Sequence, residues 1–441
     1  MAVGSRLWTM TIIGAVMMGS AATDCVGIAW FQDGEELGYC TWGDALLSRE
    51  AIVEAIDKYD KAIESNPRFA IAYLNRGYAY QLSGKLSSAM TDFNRAIELN
   101  PRLAEAYLNR GSIFQEHGEL EAAIKDYDRA IRIDHNYTEA YFNRGGARFL
   151  QHNYRGAIAD FDQVITRLPK YRSDTFTLQI STSLLPPSYT IRGLAWEYLG
   201  DLDRALADFS AAIRLDPGFA SAFNNRGIIY EIKGDSAAAL QNYDEALRLD
   251  PLMAKAYFNR AMLQYSRGLL TTALADFDQV IHLKPNAAAH NKRALVFRDL
   301  GDLQAAKADL DKAVMLDAAV SNVYLNRGQI WFLMGNHKNA LSDYDRAIKL
   351  QPTTADAYIA RSAVLRDLGN FREAVVDLNH ALEIDPRSES ALYQRAEVKY
   401  LQKDLGGAIK DFKRCETLGG KIQALARKRI IEIQKEHRVF K

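Results

Sequence analysis

Two series of oppositely charged residues recur along this 441-residue chain at a nearly constant spacing. Arginine returns every 33 or 34 residues from Arg76 to Arg395, apart from one interval of 48, and aspartate follows nearly every arginine by 16 residues. A planar guanidinium pairs with a carboxylate through two hydrogen bonds. The sequence therefore predicts a ladder of partly buried ion pairs, each joining an arginine to the aspartate of its own or the preceding repeat. The ladder comprises Arg76, Arg110, Arg144, Arg192, Arg226, Arg260, Arg293, Arg327, Arg361 and Arg395 with Asp92, Asp126, Asp160, Asp208, Asp276, Asp309, Asp343, Asp377 and Asp411.

One arginine lacks the matching acid, because Asn242 stands where the aspartate after Arg226 is expected. An alternative role for the arginine series is a groove that binds anionic ligands. The nearly matched aspartates disfavour that role, since they cancel the charge.

A third series consists of asparagines, each directly before one of the arginines. An amide offers both a donor and an acceptor, so it matches a peptide group without reading the side chains of the peptide. The alternative is that these amides cap local backbone or face water. The series is Asn75, Asn109, Asn143, Asn225, Asn259 and Asn326, and other residue types stand at the same place in the remaining repeats.

The elements that must position these residues follow from a 34-residue period. In the copy 70–103, an apolar stripe at helical spacing predicts one helix from Ala70 to Gln81. A second helix is predicted from Leu86 to Leu99, and Asn100-Pro101 ends it because proline cannot continue a helix. Each copy is thus a helical hairpin, and neighbouring hairpins must stack to bury their apolar surface.

Small and aromatic positions explain how the hairpin closes. Gly77 and Ala89 are expected where the two helices cross closely, and Phe93 fills the space beside them. The alanine recurs in every copy. The copies begin at Glu36, Ala70, Ala104, Thr138, Pro186, Ala220, Ala254, Ala287, Ser321, Ala355 and Glu389.

The pattern Tyr73, Gly77, Tyr80, Ala89, Phe93 resembles the tetratricopeptide repeat. The resemblance implies an all-α, right-handed superhelical solenoid of about 10–11 hairpins, with the first helices lining a concave groove. The asparagine series resembles the ladder in the repeat domain of O-linked N-acetylglucosamine transferases, whose amides hold an extended peptide. That likeness implies that the six asparagines bind peptide segments of partner proteins. A catalytic domain is not expected here.

The chain divides into segments around these copies. Residues 1–22 are predicted to be a secretory signal, with Arg6 before an apolar core and small residues at 20–22, or else an uncleaved membrane anchor. Residues 23–35 form an N-terminal segment, 36–171 a first repeat block, 172–185 an insertion and 186–420 a second block. If the chain is exported, Cys25 and Cys40 are candidates for a disulfide, and unpaired thiols are the alternative.

Two segments depart from the repeat. In 172–185, Phe176, Leu178 and Ile180 alternate with polar residues, which predicts an extended surface loop or an arm over the groove. Residues 421–441 are predicted to be an amphipathic capping helix, with Leu425, Ile430 and neighbours covering the last hairpin and the basic residues in water. The basic face is an alternative contact for an acidic partner or lipid headgroups.

The composition limits the function. Lys and Arg total 55 and Asp and Glu total 55, so the balanced charge argues against a nucleic-acid or anionic-membrane binder. No phosphate-binding Gly-Lys-Ser/Thr loop and no His-Glu-x-x-His motif occurs, and Cys25 and Cys40 are not spaced as a zinc pair. We therefore expect a non-enzymatic scaffold for other proteins, without cofactor or metal. The alternatives are a membrane-anchored assembly or trafficking factor and a self-associating structural solenoid.

Overall fold

The computed structural model describes residues 35–168 and 175–439. These residues hold 23 helices and no strand, and they divide between Pro251 and Leu252 into two compact units. Odd-numbered helices from α1 to α21 are the first helices of hairpins and even-numbered helices the second. The first unit contains α1 Glu35–Leu47, α2 Ile52–Ser65, α3 Ala70–Leu82, α4 Leu86–Leu99, α5 Ala104–Glu116, α6 Leu120–Ile133, α7 Thr138–Leu150, α8 Tyr154–Arg167, α9 Thr175–Tyr198, α10 Leu202–Leu215, α11 Ala220–Ile232 and α12 Ser236–Leu249.

The second unit repeats the same pattern of hairpins and ends on an extra helix. It contains α13 Ala254–Ser266, α14 Leu270–Leu283, α15 Ala287–Asp299, α16 Leu303–Leu316, α17 Ser321–Leu333, α18 His337–Leu350, α19 Ala355–Asp367, α20 Phe371–Ile384, α21 Glu389–Leu401, α22 Leu405–Leu418 and α23 Gln423–Val439. Each unit is thus an all-α repeat of stacked hairpins, as the 34-residue period predicts.

Polar residues set the ends of the helices, as around α10. Gly200 turns the chain with a φ of 82°, and Asp201 caps α10 by accepting a hydrogen bond from the backbone N–H of Arg204. After α10, the Asp216 carboxylate accepts from the N–H of Gly218 at 2.8 Å, which closes the turn to the next hairpin. A glycine of positive φ recurs at this turn in most copies, and an aspartate or asparagine caps the second helix in several of them.

The two helices of a hairpin cross where a glycine faces an aromatic ring. A Cβ added to Gly77 would lie 2.8 Å from Cε1 of Phe93, and one added to Gly227 would lie 2.7 Å from Cε1 of Tyr243. Both rings are fully buried. The aromatic ring therefore fills the space beside the glycine, as the sequence predicts, and at Gly227 the backbone oxygen of Ala239 also lies 3.3 Å from the added Cβ.

The insertion differs from its prediction. The prediction that 172–185 is extended is wrong for the part that the structure describes, because α9 already begins at Thr175 and runs into the next hairpin. Three alternating apolar residues are too few to impose a strand against the helix that follows them. Residues 172–174 lie outside the described ranges.

Two prolines lie inside α9 without ending it. Pro186 and Pro187 lack the N–H groups that would continue the backbone pattern. Two buried hydroxyl groups bond to carbonyls beside them: Ser188 Oγ donates to Leu184 O at 2.7 Å, and Thr190 Oγ1 donates to Pro186 O at 2.9 Å. The hydroxyl groups of Ser188 and Thr190 therefore bond to backbone carbonyls beside the two prolines, where α9 would otherwise break.

The terminal helices lie where the sequence places them, with different packing. The first helix of the first copy, α1, forms despite its weak pattern. The final helix, α23, packs through Ala426, Ile430 and Ile433 against the last hairpin, whereas Leu425 is about half exposed, contrary to expectation. Within the described ranges, no helix has the length and apolar character that crossing a bilayer requires.

Candidate functional site

The arginine series lies on the first helices and pairs with the second helix of the same hairpin. In α19, Arg361 Nε donates to Asp377 Oδ2 at 2.8 Å and Nη2 donates to Oδ1 at 2.6 Å. Nine of the ten arginines donate to the aspartate 16 residues later, with Arg226 as the exception. These aspartates are buried. The sequence leaves open whether each arginine pairs with the aspartate of its own or of the preceding hairpin, and the structure forms the buried pair within one hairpin.

Nine of the ten arginines also reach back to the hairpin before them. Nη1 of Arg361 donates to Asp345 at 2.6 Å, and Nη1 of Arg327 donates to Asp311 at 2.8 Å. These second acceptors are much more exposed than the first: Asp345 retains 59% of its side-chain surface and Asp377 only 4%. The guanidinium therefore links consecutive hairpins through one buried and one solvent-facing contact.

A third partner of the arginine is aromatic. The guanidinium carbon of Arg327 lies 5.5 Å from the ring centre of Tyr324, three residues earlier on α17, and Arg361 stands in the same relation to Tyr358. The hydrogen bond with Asp343 is the main cause that raises the pKa of Arg327, so this guanidinium stays charged. With carboxylates and rings around it, the ladder joins hairpins and leaves no open row of cations.

The asparagine series does not form a uniformly open row. Asn75, Asn109, Asn143 and Asn225 are buried, with 0–5% of their surface exposed. The amide Nδ2 of Asn75 donates to Asp44 Oδ1 on α1 at 2.9 Å. The expected open surface is thus absent at these four residues, and the Asn75 amide packs against a neighbouring first helix. Their assignment to peptide binding requires exposure that this conformation does not give.

The second unit is more open at the same repeat positions. Asn259 on α13 and Asn326 on α17 are half-buried, and Asn326 Nδ2 donates to Asn291 Oδ1 on α15 at 2.8 Å. That bond shows that this side of one first helix faces the next. The repeat positions around these amides can therefore form a surface that runs across successive first helices.

Apolar side chains beside these amides are also open in the second unit. Phe258 and Leu325 are half-buried, whereas Leu74, Leu108 and Phe142 at the same repeat position in the first unit are 0–1% exposed. Met262 and Leu295, four residues later in their copies, are half-buried as well. We call the half-buried group the open face. It consists of Phe258, Asn259, Met262, Leu295, Leu325 and Asn326.

The cysteines and possible ligand groups form no metal centre in the described part of the chain. Cys40 is buried in α1, and Cys25 lies outside the described residues, so their disulfide stays a prediction. Cys415 is a free, buried thiol on α22. No group of three or more metal-ligating side chains occurs among the residues that the structure describes.

The fold and the ladder define a class of protein: an all-α repeat protein of stacked helical hairpins. Four tetratricopeptide repeat families match the sequence, at residues 43–84 and 113–152, 70–103 and 321–354, 192–250 and 233–288, and 287–320 and 355–388. The chain belongs to the tetratricopeptide repeat proteins.

Solved structures of similar fold include three repeat proteins of low identity. Yeast Tom70 is 19% identical over 92% of this chain and 96% of its own, with a TM-score of 0.42. A tetratricopeptide repeat protein from Parabacteroides merdae is 21% identical over 56% of this chain and 98% of its own, with a TM-score of 0.47. The Cut9–Hcn1 hetero-tetramer of the APC/C is 14% identical over 92% of this chain and 98% of its own, with a TM-score of 0.48. The sequence matches no curated protein.

Proposed function

We propose that this chain is a non-enzymatic scaffold that binds a segment of a partner protein on the open face of its second unit. The observation that carries the proposal is the half-exposure of apolar side chains and amides together on successive first helices. Its membership of the tetratricopeptide repeat family supports a role in protein interaction.

The chemistry of the open face fits an extended segment that carries apolar side chains. Leu295, Leu325 and Met262 offer apolar area, whose burial contributes about 25 cal/mol per Å². The amides of Asn259 and Asn326 match peptide groups, and each hydrogen bond contributes about 0.5–1.5 kcal/mol net. Affinity therefore depends mainly on the apolar contacts, with the amides setting the direction of the bound backbone.

Charged variants of the open face test this proposal. The partner is first recovered by crosslinking in cells before lysis and identified by mass spectrometry, and its affinity is then measured by calorimetry. We expect Leu295→Asp and Leu325→Asp to weaken binding at least about tenfold, because a carboxylate at the interface is desolvated without a partner. The control is Met315→Asp on α16, at a residue that is 84% exposed and outside the open face.

The outcomes separate the open face from other surfaces. Unchanged affinity in Leu295→Asp and Leu325→Asp, with helicity equal to that of the native chain, would refute docking at this face. The double variant Asn259→Ala with Asn326→Ala is expected to weaken binding by less than the charged variants. Asn109→Ala provides its control, because that amide is buried in the first unit.

We also propose that the protein is exported after cleavage of residues 1–22, a segment outside the described ranges. Sequencing the N-terminus of the mature protein tests this, since an intact Met1 would favour the membrane-anchored alternative. Sedimentation over a range of protein concentrations distinguishes the exported and the membrane-anchored forms from a self-associating solenoid, whose sedimentation would depend on concentration.

A further inference from the structure

Arg226 differs from the other arginines of the ladder because both of its hydrogen-bond partners are neutral. Its Nε donates to Asn242 Oδ1 at 2.8 Å, and its Nη1 lies 3.4 Å from Ser210 Oγ. One repeat earlier, Arg192 bonds to the carboxylates of Asp208 and Asp162. The group around Arg192 thus has a formal charge of −1, and the group around Arg226 has +1.

The missing acid on the solvent side leaves Nη1 without a charged acceptor. An aspartate stands there in seven other repeats. The distance from arginine Nη1 to the carboxylate is 2.5–2.8 Å for Asp60, Asp128, Asp162, Asp278, Asp311 and Asp345. Those carboxylates retain 36–59% of their side-chain surface, so the position is open to water. Serine is shorter than aspartate, and Ser210 Oγ lies 3.4 Å from Nη1 of Arg226, farther than any of those six carboxylates from their arginines.

Arg226 is also uncompensated electrostatically. Burial lowers its pKa, and no carboxylate opposes that shift. Burial acts on Arg192 in the same direction, but Asp208 and Asp162 outweigh it and raise the pKa. Because an arginine keeps its proton at neutral pH, Arg226 is a half-buried cation held over the ring of Phe223, at 5.4 Å, without a counterion.

We propose that Arg226 and Ser210 form a binding site for an oxyanion, either a carboxylate or a phosphate group. The anion accepts hydrogen bonds from Arg226 Nη1 and from the Ser210 hydroxyl, and it occupies the place that an aspartate fills in other repeats. Asn242 keeps the guanidinium oriented from the buried side. The site lies within the first unit and is separate from the open face.

Hydrogen exchange of the full-length protein, read by mass spectrometry on peptides from α10–α12, tests the site. The probes are sodium acetate and inorganic phosphate, each compared with sodium chloride at equal ionic strength. Binding slows exchange by a factor of 1 + [L]/Kd, which is about threefold at an anion concentration of twice Kd. A response to acetate identifies carboxylates as ligands, and a response to phosphate alone identifies phosphate groups; either supports the site.

Two variants of Ser210 provide the controls. Ser210→Asp places an internal carboxylate beside Arg226, as in seven other repeats, so the fold accepts it and the response to added anion is expected to disappear. Ser210→Ala keeps the cation and the space and should retain part of the response. Exchange that neither anion slows in the native chain, or that slows equally in Ser210→Asp, would overturn the proposal and leave Arg226 a structural residue.

Discussion

The ladder predicts that two aspartates bonded to one arginine differ greatly in their contribution to stability. Asp377 and Asp345 both accept hydrogen bonds from Arg361, at 2.6–2.8 Å. Asp377 is 4% exposed and bidentate, whereas Asp345 is 59% exposed and accepts one bond. The variants Asp377→Asn and Asp345→Asn change the charge equally and keep the volume, so burial is the main difference between them.

The expected magnitudes follow from that burial. Removing one partner of a buried ion pair costs about 3–5 kcal/mol. Because asparagine still accepts one hydrogen bond, as Asn242 does from Arg226, Asp377→Asn should cost about 2–3 kcal/mol. An exposed pair contributes less than about 1 kcal/mol, so Asp345→Asn should fall below that value.

Local hydrogen exchange of α19 and α20 is the appropriate assay, because a stack of repeats need not unfold in one step. The free energy of opening is compared between each variant and the native chain at neutral pH. Raising the salt concentration should reduce the small effect of Asp345→Asn and leave that of Asp377→Asn nearly unchanged. A cost for Asp345→Asn equal to or above that of Asp377→Asn would show that burial of the pair does not govern the ladder.

Two further predictions concern the last hairpins. Burial raises the pKa of Asp411, but hydrogen bonds from Arg395 and Lys399 outweigh it and hold the pKa below its ordinary value of 3.8. The stability that the Asp411 carboxylate contributes is therefore present above pH 3.8 and is lost as the pH falls through the lowered pKa. Asp411→Asn should reduce the loss of stability between about pH 5 and pH 2, measured by urea unfolding. Lys403 adopts a φ of 65° where glycine stands in most copies. Lys403→Gly should therefore raise the free energy of unfolding by about 0.5–1 kcal/mol. Gly369→Ala, at a φ of 78°, should lower the free energy of unfolding by about 1 kcal/mol. A stabilising Gly369→Ala would contradict the argument from backbone strain.

The hairpins and the buried ion pairs can be predicted from the sequence because both depend on spacing within one copy. Arg361 and Asp377 are 16 residues apart, and the short turn between α19 and α20 brings them together in one way. The sequence also carries a signal for the second acceptor, since Asp345 precedes Arg361 by the same 16 residues. The predicted ladder pairs each arginine with a single acid, so it does not include this second series of aspartates.

The exposure of the asparagines could not be read from the sequence. Asn109 and Asn326 occupy the same repeat position, yet Asn109 is buried and Asn326 is half-buried. The difference depends on how closely successive first helices approach each other. That approach is set by side chains of neighbouring copies, so residue type and spacing within one copy do not determine it.

The ladder also explains how the first unit tolerates its insertion. Arg192 follows Arg144 by 48 residues rather than 34, yet its Nη1 bonds to Asp162 on α8 at 2.5 Å, as in an unbroken pair of hairpins. Residues 175–185 of the insertion form the beginning of α9, and the part of α9 around Arg192 keeps the register of the hairpins. The contact between arginine Nη1 and the preceding hairpin holds one hairpin to the next. A bound anion would therefore most change the stability of the stack at the arginine where this contact is weakest. In the first unit that place is Arg226, where Ser210 and Asn242 supply hydrogen bonds and no charge.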